Sequence, residues 1–531
     1  MKIVLLNIYS PDTIARYLLS SYILKAYLKS HYSNDLTIEV LNFSTESNAV
    51  KVCDELIDIR ADIIGYSCYT WNIEKVLKII ADVKCVTSEI TQILGGPEIS
   101  LSRISSLPDP YIADYYVIGE GERKLLRLIT YIQDQNNGYD ASFPEGVASW
   151  TESGINYSID GNEIEELDEI PSVYLSRAIE DRLYARQQAF IETQRGCKFK
   201  CKYCVYHKNL QTLSYYSLER IYSELDYLIK EKKISALRFL DAVFTSNIER
   251  AKKIVRHLLQ IKEKEHVRLP WIYWEFTYNS NDEEFFKLVS QLKYRSKIFN
   301  TDEITPNDRP QFYFDMLKDY TVINCVGFQS FSNQVLKAVS RPGITINKFD
   351  SFMNNARDYN VALKVDLILG LPYETFDTYI KGIEFFLPYF KNTDHVLNIH
   401  RCQILPGSDL ENLCLKLGIS YSKTAPHVVY STNSMSEVEL NYASKLSAVL
   451  FRILNSPLRR VFFEAKENSE LSYSNIIEKI YNTICSEYEF RSTRIVQDVF
   501  VDDSYWYADI FREIQTQQLM RIFKTFDFAK Y

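Results

Sequence analysis

Residues 189–207 read AFIETQRGCKFKCKYCVYH, and this stretch decides how the rest of the chain is read. Three cysteines, Cys197, Cys201 and Cys204, stand in C-x₃-C-x₂-C spacing. The apolar run Ala189 to Ile191 precedes them and Gly196 supplies a turn, the pattern of a strand entering a cysteine loop. Three thiolates on one short loop can hold three corners of a cube-shaped iron–sulfur cluster. A four-iron cluster then keeps one iron without a protein ligand, free to bind a small molecule. The competing reading is zinc, which wants four closed ligands; His207, three residues past Cys204, would be the fourth on a crowded loop. Lys198, Lys200 and Lys202 are either a solvated charge run or an offset to the thiolate charge.

The loop resembles that of the radical S-adenosylmethionine enzymes, whose pattern places an aromatic residue before the third cysteine, here Tyr203. The resemblance implies a [4Fe–4S] cluster on Cys197, Cys201 and Cys204, with the open iron chelating S-adenosylmethionine. It further implies one-electron cleavage to a 5′-deoxyadenosyl radical, fed by a reductant protein such as flavodoxin or ferredoxin.

With 531 residues the chain is long enough for two to four domains. A hydrophobic content of 46% makes it globular. A net charge of −8 argues against a protein that binds nucleic acid by bulk electrostatics. No apolar run reaches the roughly 18 residues of a membrane span. The start, MKIVLLNIYSPD, lacks the charged n-region and cleavage site of a leader and suits a first strand. The expected location is the cytoplasm. The other cysteines are scattered and form no second C-x₂-C pair, so a second cluster is not expected and buried free thiols are.

Residues 1–135 alternate strand and helix patterns, with strands at 3–9, 36–43, 62–69, 90–96 and 115–122 and helices at 14–28, 50–61 and 72–84. That alternation predicts a doubly wound, Rossmann-like parallel sheet, whose ligands sit at the carboxyl ends of the strands. Those ends carry small and polar residues: Ser10; Ser67, Tyr69 and Thr70; Gly95, Gly96, Pro97 and Glu98; Gly119 and Glu120. No G-x-G-x-x-G is present, so a dinucleotide is not indicated. The GGPE and IGEGE segments, and DIIGYSCYTWNI, resemble the cobalamin-binding domain of the cobalamin-dependent radical enzymes. The strand-end residues are therefore the expected cobalamin contacts. The Asp-x-His-x-x-Gly loop of mutase-type cobalamin domains is missing, and the region's single histidine, His31, is in no such loop. The cobalt is thus expected to lack a histidine on its lower face.

Residues 136–185 read as a polar linker with a hairpin around Asp160-Gly161. Residues 186–410 repeat strand then helix, with strands at 189–194, 235–241, 270–276, 321–330, 362–369 and 396–405. This resembles the partial (β/α)₆ barrel of the radical family, a TIM-type architecture with its chemistry at the strand C-termini. Residues 297–320 read as an insertion or a lengthened third connection near the active-site mouth. Residues 411–531 read as a mostly helical domain, with helices at 438–454, 474–490 and 511–528.

The resemblance also assigns strand-end contacts for S-adenosylmethionine. Asp241 would accept from its ammonium, and Glu275 on the third strand is either cavity-facing or salt-bridged. Gln329 and Ser330 would face ribose and carboxylate, with Arg341 a carboxylate partner. Asp366 lies in the fifth strand, Gly370 and Pro372 allow the adenine to approach, and Glu374 is expected to cap the next helix. Backbone at Ile404 and Leu405 would bracket the base.

By resemblance the expected activity is methylation of an unactivated carbon through methylcobalamin. Ring contraction, cyclisation or oxidative rearrangement with the same cofactors is the alternative, and a non-catalytic cluster or cobalamin sensor is the alternative of another class. The substrate stays open among a peptide, a lipid-like molecule and a small natural-product precursor.

Overall fold

The computed structural model describes residues 1–11, 15–32, 35–159, 166–206, 213–264, 267–292, 322–454 and 458–487. His207, the Asp160-Gly161 turn, the 297–320 insertion and the 511–528 helix lie outside them.

The run at the chain start becomes β1 (Lys2–Tyr9), buried along nearly its whole length. Continuous burial requires neighbours on both edges and cover on both faces. β1 accordingly pairs in parallel with β2 (Thr37–Ser44) and β3 (Ile63–Ser67), and the sheet continues through β4 (Thr91–Gly95) and β5 (Tyr115–Val117). Helices α1 (Leu19–His31), α2 (Ala49–Asp58), α3 (Ile73–Val86), the short α4 (Leu101–Ser105) and α5 (Glu122–Asn136) connect the strands. Helix α1 starts later than its periodicity suggests. Tyr17 is drawn out of it and buried against the next domain, its hydroxyl at the Tyr174 hydroxyl (3.3 Å).

The stretch expected to be a linker adds to this sheet. Strands β6 (Val147–Thr151) and β7 (Gly154–Tyr157) form an antiparallel hairpin, and β6 pairs with β5. The reason is local: Val147 and Ala148 are fully buried against the sheet, and Gly154 takes the turn at φ +111°.

The second sheet is parallel throughout, in the order β15-β14-β13-β12-β11-β8. Its strands are β8 (Gln188–Ile191), β11 (Ala236–Phe239), β12 (Trp271–Phe276), β13 (Val322–Gln329), β14 (Leu363–Leu369) and β15 (Val396–Arg401). Two short strands, β9 (Gln194–Arg195) and β10 (Ser214–Tyr215), pair beside the cysteine loop. Outer helices follow: α6 (Leu218–Asp226), α7 (Ile248–Lys264), α8 (Glu283–Gln291), α9 (Asn333–Ala338), α10 (Ile346–Asp358) and α11 (Phe376–Phe386). Period-two alternation sorts each strand. On β12, Ile272, Trp274 and Phe276 are buried towards the helices, while Tyr273 and Glu275 are half-buried on the lumen side. After the short α12 (Asp409–Leu413) come α13 (Glu437–Leu454), α14 (Leu458–Glu467) and α15 (Tyr473–Glu487). Helix α13 packs on β15, which leaves one edge of the barrel covered by helix. Among the described residues no helix is long and apolar enough to cross a membrane.

Candidate active site

The carboxyl edges of the two sheets face one another across one cavity of about 1170 Å³. That exceeds the roughly 300–1,000 Å³ of sites for drug-sized ligands. From the first sheet it is lined by Ser10, Ser67, Tyr69, Thr70, Gly95, Gly96, Pro97, Gly119 and Glu120. From the barrel side it meets Cys204 and Leu405. Eleven of the residues singled out in the sequence thus share one space, although they span nearly four hundred positions.

The first-sheet wall is shaped by backbone. Gly96 has φ +108°, and a Cβ there would lie 2.5 Å from the Cys68 carbonyl oxygen. Only glycine lets the β4 end pack on the 68–72 loop, where the Cys68 N–H donates to the Gly95 carbonyl (2.7 Å). Tyr69 and Trp71 stack at 4.4 Å, a flat aromatic rim. Glu98 does not border the cavity: it is buried, accepts from the Thr70 hydroxyl (3.3 Å) and lies 3.6 Å from His427. His31 stacks on Tyr27 instead, and the histidine lining the cavity is His400, from β15. The aromatic rim and the large space fit a broad planar ligand such as a corrin.

At the cysteine loop Cys201 is buried while Cys197 and Cys204 are half-buried. Burial pushes the Cys197 thiol up, and that of Cys204 to about 11, so an arriving metal displaces protons there. Arg341 supplies the local positive charge: its guanidinium donates to Cys201 Sγ (3.5 Å), the Tyr203 hydroxyl (3.0 Å) and the Gly327 carbonyl (2.6 Å). Lys202 does not face the thiols; its ammonium donates to the Ala338 carbonyl (3.0 Å). Three thiols on one loop, with the Arg341 guanidinium brought against them from the far end of α9, suit a negatively charged iron–sulfur cluster.

Several strand-end residues are braces rather than cavity walls. Asp241 is buried and accepts from the Thr193 N–H (2.7 Å) and hydroxyl (2.5 Å) and the Gln194 N–H (3.2 Å), pinning the entry to the cysteine loop. Burial pushes its carboxyl up to about 7 despite these bonds. Glu374 does not cap the following helix; Thr375 does, in a capping box with Thr378. Glu374 is buried instead between the Ser330 hydroxyl (3.0 Å) and the Gly370 N–H (3.2 Å), and burial pushes it up to about 8. Gln329 sits at a bulge with φ +69°. Burial alone would push Asp366 up, but Lys364 (3.3 Å) and His400 (3.5 Å) outweigh it and hold the carboxyl well below the usual range. Glu275 accepts from the Tyr273 hydroxyl (2.7 Å) and lies near Cys325 and Asp366. Lys364 occupies the position of a countercharge in that group, so it reads as a polar network and not as a metal site.

The charge cluster at the seam between the sheets was not legible in the sequence. Arg195, two residues before Cys197, is buried and contacts Glu120 (2.7 Å), Glu122 (2.8 Å) and Glu192 (3.0 Å). The Tyr216 hydroxyl also donates to Glu192 (3.2 Å). Burial raises Glu120, and Arg195 offsets this only in part; at Glu122 the same arginine wins and the carboxyl is lowered. Burial would lower Arg195, yet its carboxylates keep it firmly protonated. Two local signals were present, an arginine inside QRGC and paired acids in IGEGE, but nothing local says that they meet.

Comparisons with known proteins bear on the two domains. Residues 191–386 match the radical SAM superfamily and residues 19–129 match the B12 binding domain. The cobalamin-dependent radical SAM methyltransferase TokK of Streptomyces tokunonensis is 24% identical over 66% of this chain and 48% of its own length. The 2-(S-pantetheinyl)-carbapenam-3-carboxylate methyltransferase of Streptantibioticus cattleyicolor is 25% identical over 70% of this chain and 50% of its own. The chain thus spans about half the length of these curated relatives. Among solved structures, the cobalamin-dependent S-adenosylmethionine radical enzyme OxsB superposes with TM-score 0.61 at 14% identity, over 96% of this chain and 75% of that one. The radical S-adenosylmethionine methyltransferase TsrM of Kitasatospora setae does so with TM-score 0.58 at 15% identity, over 83% and 82%. These two likenesses concern the fold.

Proposed function

We propose that this chain, a cobalamin-dependent radical S-adenosylmethionine enzyme that joins a B12 binding domain to a radical S-adenosylmethionine domain, methylates an unactivated carbon of its substrate. Its cofactors are a [4Fe–4S] cluster, S-adenosylmethionine and cobalamin. When bound, they supply a hydrogen-abstracting radical on one side and a transferable methyl group on the other.

The observation that carries the reading is the single cavity. The loops at Ser67, Tyr69, Gly96 and Gly119 and the Cys204 rim open onto the same space, so one substrate carbon is reachable from both walls. Cys197, Cys201 and Cys204 would hold the cluster in this reading, and Arg341, 3.5 Å from the Cys201 Sγ, would offset its charge. Asp241 fixes the strand end that leads into the loop. The loops at Ser67, Gly96 and Gly119 form the wall on which the corrin would rest. Arg195 ties the two walls together. A reducing compartment suits the described cysteines, all of them free thiols.

The test is anaerobic reconstitution with iron, sulfide and hydroxocobalamin, followed by a visible spectrum and turnover with methyl-labelled S-adenosylmethionine. Label appearing on carbon of an added substrate supports methylation; an unlabelled rearranged product overturns it. A cluster that forms without bound cobalamin sinks the assignment of the first sheet. Cys201→Ala is expected to abolish S-adenosylmethionine cleavage while cobalamin still binds.

A further inference from the structure

The barrel lumen carries a polar layer beneath the cofactor loops. Its base is apolar, built from Ile323, Val396, Trp271 and Tyr273. Above that base the charges are engaged: Lys364 with Asp366 (3.3 Å), His400 with Asp366 (3.5 Å), Glu275 with the Tyr273 hydroxyl (2.7 Å). Arg238 is the exception. It stands on β11 opposite Phe190 and Tyr273, borders the cavity and is more exposed than its neighbours. Its guanidinium lies over the Tyr273 ring, 4.7 Å from the centroid. No carboxylate among the described residues lies within the 4.0 Å of an ion pair. The cavity beside it is walled by Phe190, Leu240, Leu369 and Ile399.

We propose that Arg238 anchors an anionic group of the substrate, a carboxylate or phosphate, and that the substrate's carbon frame runs from it along the apolar wall towards the cysteine loop. This rests on the lumen being the substrate end of the proposed methylation site. A guanidinium offers five N–H donors in a fixed plane that matches two anionic oxygens. Stacking on Tyr273 holds that plane in place before any ligand arrives, so little ordering is lost on binding. Apolar walls strengthen the attraction relative to water. The other cations near the cavity are committed. Arg401 is held by the Val429 carbonyl (3.0 Å), Asn441 (3.2 Å) and Ser444 (2.8 Å). Arg341 is held at the cysteine loop. Depth separates Arg238 from the cofactors: it precedes Asp241 at the strand end by three residues, or about 10 Å along the strand.

The experiment uses holoenzyme loaded with cluster and cobalamin and saturated with S-adenosylmethionine. Hexanoate, hexyl phosphate, hexanol and hexylammonium are titrated against it by calorimetry. The two anions are expected to bind at least about ten-fold tighter than hexanol, with hexylammonium weakest. Arg238→Gln is expected to remove the preference and Arg238→Lys to keep part of it, with unfolding midpoints confirming that both variants fold. Equal anion binding by wild type and Arg238→Gln overturns the proposal. So does anion binding that appears only in enzyme prepared without S-adenosylmethionine or without cobalamin, which would give Arg238 to a cofactor's carboxylate or phosphate. S-adenosylmethionine cleavage by the wild type, measured in parallel, reads the underlying function separately. Cleavage without an anion preference sinks the anchor alone, and an anion preference without cleavage sinks the function alone.

Discussion

Two arginines face the same cavity and are treated in opposite ways. Arg195 meets three carboxylates within 3.0 Å and is nine-tenths buried. Arg238 meets none among the described residues and rests on an aromatic ring. The first belongs to the seam, where a cation must hold glutamates from two sheets that repel one another. The second belongs to the lumen, where a free cation awaits a charge from outside. The difference separates a group kept for architecture from a group kept for binding: saturation of partners marks the one, and a preoriented vacancy of partners marks the other.

Substitution at the seam should hurt most. Arg195→Gln leaves three buried or half-buried glutamates without their cation, and is expected to cost about 3–5 kcal/mol in denaturant unfolding. It should also weaken cobalamin retention, because Glu120 lies in the loop that lines the cavity. A loss below about 1 kcal/mol would break the comparison, since Arg195 would then be no more structural than Arg238.

Next in size is Lys364→Met, which removes the nearest cation from Asp366 in the lumen. The expected cost at neutral pH is on the order of 2 kcal/mol, less than at the seam because His400 remains. The carboxyl of Asp366 is held below its ordinary value, so its contribution is present above the unfolded value of about 4 and is lost as pH falls. The variant should show a shallower acid loss in thermal midpoints than wild type. An unchanged acid limb would mean that Lys364 does not support Asp366.

Glu120→Gln sharpens the seam from the other side. Burial raises this carboxyl, so the folded state holds its proton more tightly than the unfolded one. Stability from this group is therefore full below the unfolded value of about 4.3 and declines as pH rises through the folded value. The substitution should flatten that decline, read as thermal midpoint against pH from 4 upwards. A steeper slope in the variant would contradict the assigned direction.

The smallest effect is expected at Arg238→Gln, within about 1 kcal/mol of wild type, the worth of its contact with Tyr273. A large loss would show that Arg238 has a structural partner after all.

Much of the fold was legible because it is written locally. The barrel strands came within a few residues of their expected limits, since period-two alternation and flanking turns are short-range signals. Helix α1 was read too early because Tyr17 is taken by Tyr174, more than 150 residues on. The hairpin Val147–Tyr157 was missed because polar residues such as Ser149 and Asn156 hid a strand with one exposed face. At the site, Glu374 was read as a cap because it precedes a helix, yet Thr375 beside it is the better N-cap residue and Glu374 turns inward to Ser330.

The sequence by itself determined the cofactor chemistry. Three thiols within eight residues, and glycines at strand ends, act through spacing along the chain, which folding cannot alter. Only the tertiary structure decided which charges meet. Arg195 finds Glu120 across 75 positions, and Arg238 finds no carboxylate at all among the described residues. A strand's alternation tells which face a side chain takes, but its partners come from other strands, and their register exists only once the sheets have closed on one another.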